Sequence, residues 1–469
     1  MKNKSIIRNL SMTFMANAIS MIVSIICTLA IPKLMGVTEY GYWQLYIFYI
    51  SYAGLLHLGL CDGVYLSNGG KKYDSLCFNS LRCQLIIMFI YTLVFCCIIF
   101  SISKGACSGS DITNVIGLTC IGAFIHVIRT YLLFVLQATN KLKEYSVVTI
   151  IDRVIFIASV LFLCLINEIS YENMIFADIF GRIVSLIVVI CYTKKIVFGI
   201  PIFNELIFKE LKDNISAGSK LLLAGIASNF IIGIARMAIQ QKWDIDVFGK
   251  VSLALSVVNM ILSFISVASI VFFPILNRVN DDYRQEVFIH ADILLSMTTY
   301  FVLIFSGVGN RIIEFWLPQY KESAFFLILV LPVCVFESET SMLLNTYIKV
   351  YRKEKALMIV NFGIMMLSAI LSYITINLFS DIHFAIIVID ILVMIRVIML
   401  KMVLKTCINQ MSFYKSILRE MVLFIIYIMS YMYLQVIVAS VVYLVCYVVF
   451  IAINKKQIKE AIGFIGLKK

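Results

Sequence analysis

Charge is scarce in this sequence, and proline is scarcer. Only 14% of the 469 residues are charged, with 5 prolines and 4 histidines. A soluble domain is usually about a quarter charged, so these side chains cannot cover a large water-facing surface. The few prolines, with 22 glycines, exclude collagen-like and low-complexity classes. No GxxxxGK[ST] loop is present, so no nucleotide-driven engine is encoded. HExxH, GxSxG and Cys/His metal spacings are missing too, which removes the usual hydrolase and zinc chemistries and leaves a non-enzyme without cofactor or metal. What is abundant is apolar: 62% hydrophobic, 13% aromatic, mean hydropathy +0.98. The 13 cysteines sit mostly in apolar runs, where they act as small buried hydrophobes. The solvent such a chain needs is lipid.

A helix needs about 20 apolar residues to cross the hydrocarbon. Walking the chain gives about fourteen such segments, near 10–33, 41–66, 83–103, 115–138, 146–167, 173–193, 219–240, 248–274, 287–308, 323–348, 356–378, 383–404, 418–434 and 437–453. The basic N-terminus before an apolar run looks like a signal peptide, but the run is too long and lacks a small-residue cleavage site, so it is expected to be a retained first span. Basic residues alternate between successive loops. Of 39 Lys and Arg, 28 fall in one alternating set of loops and termini, 6 in the other, and 5 within spans. By the positive-inside rule the rich set is cytoplasmic, with both termini inside. The net charge of +12 is thus an orientation signal, not a nucleic-acid patch.

The longest inside segment alternates apolar and charged residues, like an amphipathic helix on a membrane surface. It divides the chain into residues 1–193 (helices 1–6), a cytoplasmic linker 194–218, residues 219–404 (helices 7–12), and residues 405–469 (helices 13 and 14 with a basic tail). A weak repeat links the halves. PKLMGVTEYGYWQLY and QQKWDIDVFGKVSLA each follow the first helix of their half and carry an aromatic–glycine pair, Tyr40-Gly41 and Phe248-Gly249, offset by 208 residues. Six spans per half make the repeat parallel, as in transporters that open a central cavity to alternate sides.

On these residues the sequence resembles the multidrug/oligosaccharidyl-lipid/polysaccharide (MOP) exporter superfamily, in its polysaccharide-biosynthesis branch of O-antigen (Wzx-type) flippases. The matching stretches are IPKLMG with Pro32 and Gly36, then Tyr40-Gly41, then Leu58-Gly59-Leu60 with Gly63, and VFFPILNRV with Pro274 and Arg278. The resemblance implies an all-α polytopic fold of two pseudo-symmetric six-helix lobes plus two C-terminal helices, V-shaped around a central cavity. It implies flipping of an undecaprenyl-diphosphate-linked oligosaccharide, an O-antigen, capsule or lipopolysaccharide precursor, across the bacterial inner membrane. Membrane lipids and a polysaccharide polymerase are the implied partners. Siblings of the same fold, a cation-coupled multidrug antiporter or a peptidoglycan-precursor flippase, stay open, and a membrane polymerase is a more distant alternative.

A diphosphate headgroup needs a wet, cationic path, and arginine binds it bidentately. Ionisable residues inside spans are the candidates. Arg129 and Arg182 fall near mid-membrane, Arg396 somewhat inside the midplane, and Arg236 toward the outer end of its span. Arg182 has Asp178 four residues earlier on the same face, whereas Arg129 has no acid within a turn. Arg153 is expected to snorkel to the headgroups beside Asp152. Asp62, Asp178, Glu337 and Asp390 are candidates for H+ or Na+ coupling. Glu339 also lies in a span, but two residues from Glu337 it points away from it. Asn17, Asn229, Asn259 and Asn345 serve equally as sugar contacts or as helix-to-helix hydrogen bonds.

Overall fold

The computed structural model describes residues 21–106, 109–276, 281–408 and 412–466. Arg8, Asn17 and Arg278 lie outside them. The described chain is helical throughout and divides into two compact units, Met1–Ile226 and Ala227–Lys469. In the first unit lie α1 (Met21–Leu34), α2 (Val37–Ile50), α3 (Leu60–Asn68), α4 (Phe78–Ala106), α5 (Ser110–Ala138), α6 (Leu142–Ile166), α7 (Tyr171–Tyr192) and the short α8 (Lys194–Val197). Helix α9 (Glu205–Lys242) runs from the first unit into the second. The second unit continues with α10 (Ile245–Leu276), α11 (Asp281–Ile304), α12 (Ser306–Trp316), α13 (Lys321–Val330), α14 (Pro332–Ser338), α15 (Asn345–Val350), α16 (Glu354–Ile374), α17 (Ile382–Lys405), α18 (Ser412–Tyr433), α19 (Val436–Ile453) and α20 (Lys455–Gly466).

Each of the fourteen expected segments falls on a described helix or a bent helix pair, the first only from Met21 onward. Among the described residues, ten helices are long and apolar enough to cross a membrane, and two bent pairs raise that to twelve. Beside them stand the shorter α1 and the 24-residue α17, which carries Asp390, Arg396 and Lys401. Large side chains such as Leu161, Phe162, Leu165 and Val445 are exposed, as a lipid-facing surface requires. Helix α2 begins at Val37 and α10 at Ile245, the same offset as Tyr40 and Phe248, and both of those aromatics are buried.

The two bent pairs have local causes. Between α2 and α3 a short 3-10 turn ends at Leu58 and Gly59, both at positive φ (50° and 87°). Between α13 and α14, Pro332 has no N–H to give the carbonyl of Ile328, and the Tyr427 hydroxyl donates to that carbonyl at 3.0 Å instead.

The segment 194–218 differs from a separate surface helix. Its second half is the start of the 38-residue α9, and it is tied down to the first unit. Arg82 donates to the carbonyls of Lys195, Ile196, Phe198 and Ile200. The Asn79 amide pairs with both the N–H and the carbonyl of Ile202. Further along, Ser80 bonds Glu210, and the Asn214 amide donates to Gln84 at 2.9 Å. Alternating polarity here serves side-chain bonds to α4 as well as water.

Candidate functional site

In the first unit, α2, α5, α6 and α7 bring the candidate arginines into one buried network. Arg182 Nε donates to Asp178 Oδ2 at 2.6 Å, closing the pair their spacing implies. The Tyr46 hydroxyl donates to the same oxygen at 2.5 Å. Arg182 Nη1 lies 2.8 Å from His126 Nδ1; with the arginine as donor, that histidine nitrogen accepts. Arg129 Nη1 is 2.9 Å from Asp152 Oδ2 and donates to Ser185 Oγ at 3.0 Å, while Ser185 bonds the Arg182 carbonyl. Arg129, Asp152, Asp178 and Arg182 are each less than 9% exposed. Two arginines thus face two aspartates, and burial makes each partner necessary to the other. The close approach of α6 and α7 depends on Gly181, where a Cβ would fall 2.9 Å from the Asp152 carbonyl oxygen.

The partner of Arg129 comes from another helix, which spacing along α5 could not reveal. Its Nε has no hydrogen-bond partner among the described residues, so the guanidinium keeps a donor to offer. Two apolar cavities of about 550 and 420 Å³ flank α5 and share Cys96 and Cys120, and neither is lined by Arg129 or Arg182. Asp62 lies 3.9 Å from His57 Nδ1, but that nitrogen accepts the Gly59 N–H at 3.2 Å, so the pair is no close ion pair.

In the second unit the remaining candidates separate. Arg396, 1% exposed, donates to Glu337 Oε1 at 2.8 Å, Asn361 Oδ1 at 3.0 Å and Ser228 Oγ at 2.6 Å. Arg236 donates to Ser252 Oγ at 2.9 Å, with its guanidinium 5.4 Å from the Phe248 ring centre. Asp390 is fully buried, and among the described residues neither carboxyl oxygen has a hydrogen-bond partner of good geometry, although the Val333 backbone faces it. Glu339, by contrast, meets Lys401. That lysine and Arg419 count with the cytoplasmic loops on sequence alone, yet Lys401 is 0% exposed and both join Asp292 and Glu420 inside the unit. A polar stripe on α11 (Asp292, Ser296, Thr299) at helical spacing was the available signal for that cluster.

No protein-family model matches the sequence, and no curated protein matches it. Solved structures do match in fold. One is the lipid II flippase MurJ in an inward closed conformation, with TM-score 0.65 and 14% identity over 96% of this chain and 100% of that one. A second is an inward-facing multidrug resistance MATE family transporter of the MOP superfamily, at 0.63 and 13%, covering 87% and 99%. A third is a MOP superfamily transporter from Pyrococcus furiosus, at 0.52 and 12%, covering 87% and 96%. The chain therefore has an all-α polytopic membrane fold of the kind that MurJ and the MATE transporters share.

Proposed function

We propose that this protein is a membrane flippase that moves a lipid-linked oligosaccharide with a diphosphate headgroup from the cytoplasmic to the outer leaflet of a bacterial inner membrane, by alternating access. What favours a lipid-linked cargo over a small drug is the extent of the fold match. The lipid II flippase corresponds to 96% of this chain, against 87% for the multidrug transporter. A peptidoglycan precursor shares this headgroup chemistry and is the second reading; an O-antigen or capsule unit is the first. Such a protein makes and breaks no bond of its cargo, and it would work beside the polymerase that consumes the flipped unit.

In this reading Arg129 captures the diphosphate. Its unpartnered Nε–H is the starting donor, and a doubly charged anion competes with Asp152 for the rest of the guanidinium. Arg182, Arg236 and Arg396 supply further cationic steps. Asp178 and Glu337 are occupied by Arg182 and Arg396, and Asp62 is partly exposed, so Asp390 is the acid best placed to couple an H+ or Na+.

Replacing Arg129 alone strands Asp152, which costs about 3–5 kcal/mol when a buried pair is broken. The test therefore uses Arg129→Gln with Asp152→Asn, a neutral pair of similar size, in proteoliposomes carrying a fluorescent undecaprenyl-diphosphate oligosaccharide. The expected result is a folded protein whose flipping falls at least tenfold. Full flipping by the double variant would remove Arg129 from the mechanism.

A further inference from the structure

The densest charge cluster among the described residues lies apart from the arginines assigned above. It sits in the second unit, where α11, the α14–α15 stretch, α17 and α18 meet. Lys401 Nζ is 2.6 Å from Glu339 Oε1, 2.7 Å from Glu420 Oε1 and 3.3 Å from Asp292 Oδ1. It also donates to Ser416 Oγ at 2.9 Å. Arg419 Nη2 is 3.1 Å from Asp292 Oδ2 and bonds Ser416 as well. Asp292, Glu339 and Glu420 are 7%, 4% and 3% exposed, and Lys401 is 0% exposed.

Three carboxylates face two cations. With every group ionised the cluster would hold one uncompensated negative charge, sealed among apolar helices, and such a charge is very costly there. We infer that the cluster is a proton-binding site and that Glu339 holds the proton. The three acids are unequally supported. Asp292 is met by Lys401, Arg419 and the Ser416 hydroxyl. Glu420 is met by Lys401 and lies 3.0 Å from the Ser416 hydroxyl, whose single proton it shares with Asp292. Glu339 has Lys401 as its one polar partner among the described residues. It also opens the π-helical turn Glu339–Leu344, where the backbone departs from α-helical register.

The other titratable groups on the surrounding elements are engaged or distant. On α11, the Tyr300 hydroxyl donates to the Glu420 carbonyl, and His290 lies against Phe464. Glu337 of α14 pairs with Arg396 of α17, and Asp390 of α17 faces the Val333 backbone. Cys334 of α14 bonds the Val258 carbonyl, and Tyr347 of α15 bonds the Arg284 carbonyl. Helix α10 carries its titratable residues, Asp246 and Lys250, only at its N-terminal end. From α18, Arg419 also lies 5.7 Å from the Phe450 ring of α19. Oxygens of the three acids lie within 4.8 Å of one another, a spacing that suits a metal ion, but the Lys401 ammonium already takes that centre. A proton is the cation that adds no volume. Its loss would charge the junction that ties α18 to the rest of the unit, which makes that junction sensitive to pH.

Infrared spectroscopy of the purified full-length protein at pH 7 tests this, reading the C=O stretch of protonated carboxyl groups and its shift in D₂O. Wild type is expected to show a buried carboxylic-acid band that Glu339→Gln removes. Asp292→Asn and Glu420→Gln should each remove it too, because either relieves the excess charge and lets Glu339 ionise. Asp390→Asn should leave it in place. Glutamine reproduces the neutral form, so Glu339→Gln should elute as a folded, unaggregated protein; failure to fold would overturn the assignment. So would a spectrum of that variant identical to wild type. A thermal midpoint that rises with Na⁺ at constant ionic strength in wild type, but not in Glu339→Gln, would assign the neutralising cation to sodium and likewise overturn it.

Discussion

Pro332 leaves the Ile328 carbonyl without its helical donor, and one hydroxyl on a neighbouring helix, that of Tyr427, makes good the loss at 3.0 Å. In an apolar interior no water replaces that bond. Tyr427→Phe should therefore destabilise the protein by about 1–3 kcal/mol through the orphaned carbonyl, with little change in packing. The measurement is the thermal midpoint in detergent: a clear drop is expected, and an unchanged midpoint would mean the carbonyl is satisfied some other way. The same logic governs the buried charges. Sequence alone located Arg129, Arg182, Arg396 and Asp390 inside spans, and the Asp178–Arg182 pair followed from their spacing. It could not give Arg129 its partner, because Asp152 comes from the next helix, nor draw Lys401 inward, because a lysine near a span end looks like a loop residue. Pairing between helices is set by packing, which composition and periodicity do not encode.

At the scale of elements, the N-terminal half of α9 and the start of α3 meet backbone to backbone. A Cβ on Gly218 would lie 1.9 Å from the Gly59 carbonyl oxygen, and one on Gly63 would lie 2.0 Å from that of Asn214. Neither neighbour is a flexible side-chain tip, so Gly218→Ala must push the helices apart. It should lower the thermal midpoint and the yield of folded protein. Gly225, on the same helix, has nothing within 4 Å, and Gly225→Ala should gain about 1 kcal/mol from helix propensity. Equal behaviour of the two variants would mean that the close approach does not hold this helix in place. Glycine at a crossing is invisible to hydrophobic periodicity. That is one reason segment 194–218 looks like a free surface helix in sequence, although Arg82, Asn79 and the glycines tie it to α3 and α4.

For the whole molecule, orientation in the membrane follows from where the cations are, and those inside the helices carry no topological weight. Lys401 and Arg419 belong to a buried cluster, so they should be removed from the inside tally. The loop before α18 keeps Lys405 and Lys415, and the alternation therefore survives. By the positive-inside rule the corner at Arg352, flanked by Lys349, Lys353 and Lys355, is expected in the cytoplasm, and the corner at Ser380, which has no basic residue beside it, is expected outside. Both corners have positive φ, 55° at Arg352 and 51° at Ser380, and both end helices, so a short insertion there leaves the spans undisturbed. An epitope inserted at Ser380 of the full chain should be reached by antibody on intact spheroplasts. The same epitope at Arg352 should be reached only after permeabilisation. Only an odd number of crossings between the two positions puts them on opposite sides, and α16 is the one helix between them. Labelling of both from the same side would mean that α16 does not cross, and the alternation of charge on which the expected fourteen spans rest would fail with it.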